Sequence, residues 1–299
     1  MDRRRFLLAS ATVAGSLTAG GLLAACAKDA GSAAGTTASA GGAEAIPDGP
    51  ATLAPQVVAF EVLTGGERLV PFGLRTVDNL EVADADVRVF LRDLDGEVLG
   101  GPFPAEYTEA AGKGLGLYKT RFAVRQPGPV EFVAVAGDRY GTQALNVVAP
   151  ENSKAPVPGQ QAVAVATPTM QRPRGVEEVC TQDPPCGMHE VSLHRSLQAG
   201  RKVMLLFATP AYCVSVTCGP AVGTVDEVRT SGSWGDTDWI HVEIYEDAGK
   251  TLTEPVQAWQ LPTEPWLFGI DGSGTIVNRV EGAMLPEQVT AAAEELTQG

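Results

Sequence analysis

Lys202-Val203-Met204-Leu205-Leu206-Phe207-Ala208-Thr209-Pro210-Ala211-Tyr212-Cys213-Val214-Ser215-Val216-Thr217-Cys218-Gly219-Pro220 is the stretch on which the reading of this chain turns. It opens with an apolar run, Val203–Phe207, short and dense enough for a strand buried on both faces. The chain then breaks at Pro210, presents Cys213 and Cys218, and passes into a helix-like segment. Five positions along a regular helix turn the side chain by about 500° and climb about 7.5 Å. A disulfide needs Cα atoms about 4.4–6.8 Å apart with converging side chains, so both cysteines cannot share one regular helix and still bond. The β-branched residues Val214, Val216 and Thr217 also disfavour helix there. The spacing therefore predicts Cys213 in a loop, Thr217 as N-cap, Cys218 in the first turn and Pro220 still within that turn. A helix N-terminus aimed at the thiols favours thiolate. Such a pair suits thiol–disulfide exchange, Cys213 attacking and Cys218 resolving; the alternative is a structural disulfide at a strand–helix corner.

Upstream, Cys180-Thr181-Gln182-Asp183-Pro184-Pro185-Cys186 closes a small loop bent by two prolines, which predicts a local structural disulfide between Cys180 and Cys186. Glu190–Gln198 reads as a helix that stops at Gly200. Downstream come a helix over Pro220–Arg229 and a strand over Trp239–Tyr245. A hairpin follows, Trp266–Ile270 and Thr275–Val280 about Asp271-Gly272-Ser273-Gly274. Leu285, Val289, Ala292 and Leu296 put an apolar stripe on a closing helix. His189, His194 and His241 read as surface or capped residues.

The strand ending at Phe207 with Ala208-Thr209, the Cys213/Cys218 turn, Thr263-Glu264-Pro265 ahead of a hairpin, and the terminal helix together resemble a thioredoxin-like fold. The resemblance is to its exported branch of TlpA- and ResA-type thiol–disulfide oxidoreductases, over about residues 175–297. It implies an α/β domain in which Pro265 is cis and faces the cysteines, acting on exported protein thiols or disulfides with an unknown electron donor. The chain departs from that pattern in having four residues between its cysteines, Tyr212 where a Trp is usual, and no acid in Val203–Phe207. Glu264, ionised, would raise a nearby thiol. Pro210 with Thr217-Cys218 is faintly similar to the loop of peroxiredoxins. A copper-handling alternative, similar to SCO-type proteins, would use Cys213, Cys218 and His189, with Cys186, Met188 and His189 as nearby soft ligands. A further alternative is a non-catalytic surface binding protein held by structural disulfides. No cofactor is expected, and a metal only in the copper alternative.

The other half of the chain differs in texture. Residues 1–26 carry Arg3-Arg4-Arg5-Phe6-Leu7, an apolar segment, and Leu23-Ala24-Ala25-Cys26; this resembles a twin-arginine signal with a lipobox. The resemblance implies acylation of Cys26 and a lipid anchor at the outer face of the cell membrane. Of five cysteines, four then remain, with three possible pairings. Residues 27–54, rich in Ala, Gly, Ser and Thr, read as a flexible tether. Residues 55–150 carry strand-like runs at Val57–Leu63, Val82–Arg92, Tyr118–Arg125, Val130–Ala136 and Ala144–Val148, punctuated by turns. They predict an all-β Ig-like sandwich, with no Cys, His or Met to do chemistry. Residues 151–174, rich in proline, read as a linker. The fold class expected is thus two domains, the sandwich followed by an α/β thioredoxin-like domain over 175–299. The net charge of −14 disfavours nucleic acid and anionic lipid heads as partners.

Overall fold

The computed structural model describes residues 45–109, 116–213 and 217–298. The segment expected to be a signal, Cys26 and most of the expected tether lie outside the described residues, as do Val214, Ser215 and Val216. No helix among the described residues is long and apolar enough to cross a membrane.

Eight strands form the first sheet: β1 (Leu53–Val57), β2 (Val62–Leu63), β3 (Arg68–Thr76), β4 (Val87–Arg92), β5 (Val98–Glu109), β6 (Gly116–Phe122), β7 (Gly128–Ala136) and β8 (Arg139–Val148). Their order is β1-β3-β6-β5-β4-β7-β8-β2, antiparallel except for the short parallel pair β2–β8. The sheet curls until its ends meet, Thr52 N–H donating to the Tyr140 carbonyl at 2.9 Å. Alternation does the sorting: Tyr118, Thr120 and Phe122 of β6 point inward while Arg121 points out. Inside, Phe72, Tyr118, Phe122 and Phe132 stack and cross at centroid distances of 4.8–6.2 Å. This is an all-β domain of one curled sheet around an aromatic core.

The second sheet has four strands in the order β10-β9-β11-β12: β9 (Lys202–Phe207), β10 (Thr237–Val242), β11 (Trp266–Ile270) and β12 (Ile276–Glu281). β9 runs parallel to β10, while β11 is antiparallel to β9 and β12. Around it lie α1 (Leu193–Gln198), α2 (Cys218–Ser231), α3 (Glu254–Trp259) and α4 (Pro286–Gln298). The apolar run of β9 is buried throughout. Met204 and Leu206 face α2 and α4, whereas Val203, Leu205 and Phe207 face Trp259, Trp266 and Phe268. The Asp271–Gly274 turn is tied by Asp271, whose carboxylate accepts from the Ser273 and Thr275 amides at 2.8 and 2.9 Å. Residues 151–174 are packed: Ala155 and Val165 are buried beside Trp259 and Trp266, and Gln161 bridges to Thr275.

The expected fold class is corrected here. The described residues are mainly β, a curled eight-stranded sheet plus a four-stranded one, and carry only four α-helices, two of them six residues long. Helix is too scarce to make residues 175–299 an α/β thioredoxin-like domain. Long non-helical segments, 153–192 and 243–253, cover much of the second sheet instead.

Arg279 joins the two sheets. Its guanidinium meets the Glu61 carboxylate at 3.2 Å and Ser153 Oγ at 2.9 Å, and lies 5.0 Å from the centroid of the Trp266 ring. Burial pushes Glu61 up, but hydrogen bonds from Ser153, Lys154 and Arg279 hold it below its usual range. Gly282, at φ 67°, donates its N–H to the Pro265 carbonyl, and a side chain there would collide with the Val58 carbonyl. Burial raises Glu281 to about 7, against the pull of Arg279 3.8 Å away. A carboxylate raised in the folded state contributes stability below its unfolded pKa and loses it as pH rises through the folded value. The wild-type chain should therefore lose about 3 kcal/mol between pH 4.5 and 7.5 from this group. Urea unfolding of Glu281→Gln should show that decline gone; an unchanged pH profile would remove Glu281 as its source.

Candidate metal centre and thiol pair

Two clusters of cysteines flank the end of β9. The first is built by the loop carrying Cys180, Cys186 and His189, laid against β10, which supplies His241. His241 N–H donates to the Met188 carbonyl at 2.8 Å, and Glu243 Oε1 accepts from Thr181 N–H and Oγ at 2.7 and 2.9 Å. These bonds clamp both ends of the loop to β10 and the residue that follows it. All four side chains are buried, from Cys186 at 9% exposed to His241 at 0%.

The sulfurs of Cys180 and Cys186 are 3.7 Å apart and both thiols are free. An S–S bond is about 2.05 Å, so the disulfide expected between them is not formed. Cys186 Sγ lies 3.3 Å from His189 Nε2 and 3.4 Å from His241 Nδ1, and the four donor atoms all fall within 4.8 Å of one another. Around a tetrahedral zinc, S–S edges are about 3.8 Å and S–N edges about 3.5 Å. The three distances from Cys186 match those edges. His241 turns its other nitrogen, Nε2, to the Ala208 carbonyl at 3.1 Å, which fixes Nδ1 as the lone-pair donor toward the sulfurs. The Glu243 carboxylate stands 3.9 Å from the same Nε2. The hydrogen bond between the two sulfurs holds the Cys180 thiol low and Cys186 high, and burial adds to the latter. Met188 N–H points at the Cys186 sulfur.

A cavity of about 320 Å³ opens beside Thr181, the residue after Cys180. It is lined by Glu177, Glu178, Glu246 and Asp247 with Tyr212 and Tyr245. Four carboxylates there attract cations.

The second cluster is Cys213, Cys218 and Glu264. Cys213 is half-buried; its N–H donates to the Thr209 carbonyl at 3.0 Å. Thr217 stands at the residue before α2 and Cys218 is the first helical residue, with Pro220 in the first turn. Cys218 is fully buried, and its thiol is raised by its hydrogen bond to Cys213 and by burial, against an amide bond from Thr209. Burial and then the charge of Cys213 raise Glu264. The Glu264–Pro265 peptide is cis.

The structure thus groups Cys213 with Cys218, with Pro265 following Glu264, and places His189 in the other cluster, so the copper set Cys213–Cys218–His189 does not assemble. His189 and His241 are buried, which removes the surface half of their surface-or-capped reading, and His241 is capped at Nε2 by the Ala208 carbonyl; His194 is half-buried, 3.0 Å from Ser192 Oγ. The sequence reading missed His241 as a partner of the Cys180 loop. The local signal available was Cys-x5-Cys-x2-His, whose third donor type argued for an ion over a disulfide.

No family model matches the chain, and no curated protein does. Among solved structures it is similar to the filamin domain of Lin-41, at 12% identity over 31% of this chain and 91% of that one, with a TM-score of 0.21. It is similar also to domains 4 and 5 of the S-layer protein SbsC, at 16% identity over 33% of this chain and 45% of that one, TM-score 0.21. A third is the Escherichia coli adhesin FdeC, at 18% identity over 40% of this chain and 37% of that one, TM-score 0.23. The chain spans less than half the length of the last two. The resemblance to TlpA- and ResA-type oxidoreductases is corrected by the fold itself: the described residues are mainly β, an eight-stranded and a four-stranded sheet with four α-helices.

Proposed function

We propose that this chain is a soft-metal-binding protein that holds a d10 cation, Zn(II) or Cu(I), on Cys180, Cys186, His189 and His241. The observation that carries the reading is the set of donor distances, 3.7, 3.3 and 3.4 Å, on four buried side chains. Thiolate and imidazole donors in fourfold array select such ions over hard cations. The copper-handling alternative therefore moves from Cys213, Cys218 and His189 to this quartet. Arg3-Arg4 and the Leu23–Cys26 segment support placement at the outer face of the membrane on a lipid anchor, where the acidic cavity would meet extracellular ions.

Titration of the reduced full-length chain against a chromophoric chelator should give one ion bound per chain, with Kd in the nanomolar range or below. Cys180→Ser should weaken binding at least 100-fold. Absence of stoichiometric uptake of both ions, or equal affinity in Cys180→Ser, would refute the assignment. A second reading, thiol–disulfide exchange with exported proteins, draws on Cys213 being the half-buried member of its pair. Trapping of mixed disulfides by Cys218→Ser tests it.

A further inference from the structure

A cavity of about 680 Å³ shares no lining residue with either cysteine cluster. Its wall comes mainly from the turn Thr169–Arg172 and from α1 with the residues flanking it. The turn is tight: Thr169 and Arg172 exchange N–H···O bonds at 3.0 Å in both directions, and Thr169 Oγ1 accepts from Arg172 N–H at 3.1 Å. Thr167 Oγ1 accepts from Leu193 N–H at 3.0 Å, which ties the start of α1 to the same piece of chain. On a chain of net charge −14, this wall carries four arginines, Arg172, Arg174, Arg195 and Arg201, against two carboxylates, Glu190 and Asp238. Arg201 is taken up by Asp238, through two bonds at 2.7 and 2.8 Å, and Arg174 reaches Glu254 at 3.5 Å. Arg172 and Arg195 have no ion-pair partner among the described residues. Ser196, also in the wall, is 2% exposed, and its Oγ has no hydrogen-bond partner. A buried hydroxyl left in that state is destabilising until something bonds it.

We propose that this cavity binds a polyhydroxylated anion, a sugar carrying a carboxylate or phosphate group, with Arg172 and Arg195 gripping the acid. Two guanidinium forks without partners match either oxyanion through paired, charge-assisted N–H···O bonds. Size argues against a bare anion, because cavities of about 300–1,000 Å³ take ligands as large as a drug molecule. Composition argues against an apolar one: among the described residues Val191 is the one aliphatic side chain in the wall, so a hydrophobic ring would find little to lie on. Hydroxyl groups are what the remaining side chains suit. The Glu190 carboxylate accepts from a hydroxyl and gains nothing from an anion, while Ser192, Ser196 and His194 can each donate or accept. The site draws on none of the metal ligands, so it stands or falls apart from the metal reading.

Titration calorimetry of the full-length chain with glucuronate and with glucose 6-phosphate tests it, with inorganic phosphate and glucose as comparisons. At least one of the two sugar anions should bind at a single site, about tenfold or more tighter than either comparison ligand. Arg172→Gln and Arg195→Gln should each weaken that binding about tenfold, as expected for the loss of a hydrogen bond from a charged donor. Both side chains are exposed, so the variants keep the fold and report on binding alone. Arg125→Gln, an exposed arginine outside the cavity wall, should leave the affinity unchanged. Binding of one sugar anion and not the other upholds the proposal and names the acid group. No binding of either, or inorganic phosphate bound as tightly as both, overturns it. So does an affinity untouched by Arg172→Gln and Arg195→Gln, or lowered equally by Arg125→Gln, because the anion would then be held elsewhere or by diffuse charge.

Discussion

Saturating Zn2+ should raise the melting temperature of the reduced chain by about 10 °C, and Cys180→Ser should lose most of that rise. An ion that binds only the folded chain, present at about 1,000 times its Kd, contributes about 4 kcal/mol. For a chain of this size each kcal/mol moves the midpoint by about 2–4 °C. Three of the ligands are close in sequence and keep some affinity after unfolding, while His241 is 55 residues from Cys186 and does not stay with them. Most of the gain therefore depends on β10 holding its place. Scanning calorimetry with EDTA and with added Zn2+ measures it. A midpoint indifferent to both, or equally responsive in the serine variant, would contradict the site.

Arg279→Ala should destabilise the fold by about 3–5 kcal/mol. The side chain is 3% exposed and faces Glu61 at 3.2 Å and Glu281 at 3.8 Å, so its loss leaves two buried carboxylates without their cation. It also uncovers the Trp266 face and removes a donor from Ser153. Arg279→Lys keeps the charge but not the planar fork, and should cost a smaller part of that sum. Urea denaturation monitored by Trp fluorescence gives both values. A loss below about 1 kcal/mol for the alanine variant would show that solvent reaches the junction.

Local pattern made some of this legible. Period-two alternation marked β6, and density alone marked β9 as doubly buried. β3 and β5 were hidden because Pro71, Gly73 and the Gly100-Gly101-Pro102-Phe103-Pro104 run break the alternation that marks a strand. In the structure Pro71 still uses its carbonyl, accepting from Val58, and β4–β5 absorbs its irregular stretch through register shifts near Leu91. The Pro184-Pro185 bend suggested a closed disulfide loop, whereas the loop wraps a strand partner whose histidine lies far along the chain. Spacing rules see neighbours in sequence; they do not see across a parallel pair such as β9–β10. The α/β expectation failed for a related reason: helical stripes at 220–229 and 285–296 were real, but most of the covering layer is irregular chain.

The clasp between the sheets has a mechanical corollary. Arg279 on Glu61, Phe60 against Trp266 at 5.6 Å, Lys119 on Glu287 at 2.8 Å and the Gln288 amide on the Leu69 carbonyl brace the junction at several points. Swivelling about it would break them together. The two sheets thereby turn as one body, and the acidic mouth beside Thr181 keeps its bearing relative to the curled sheet.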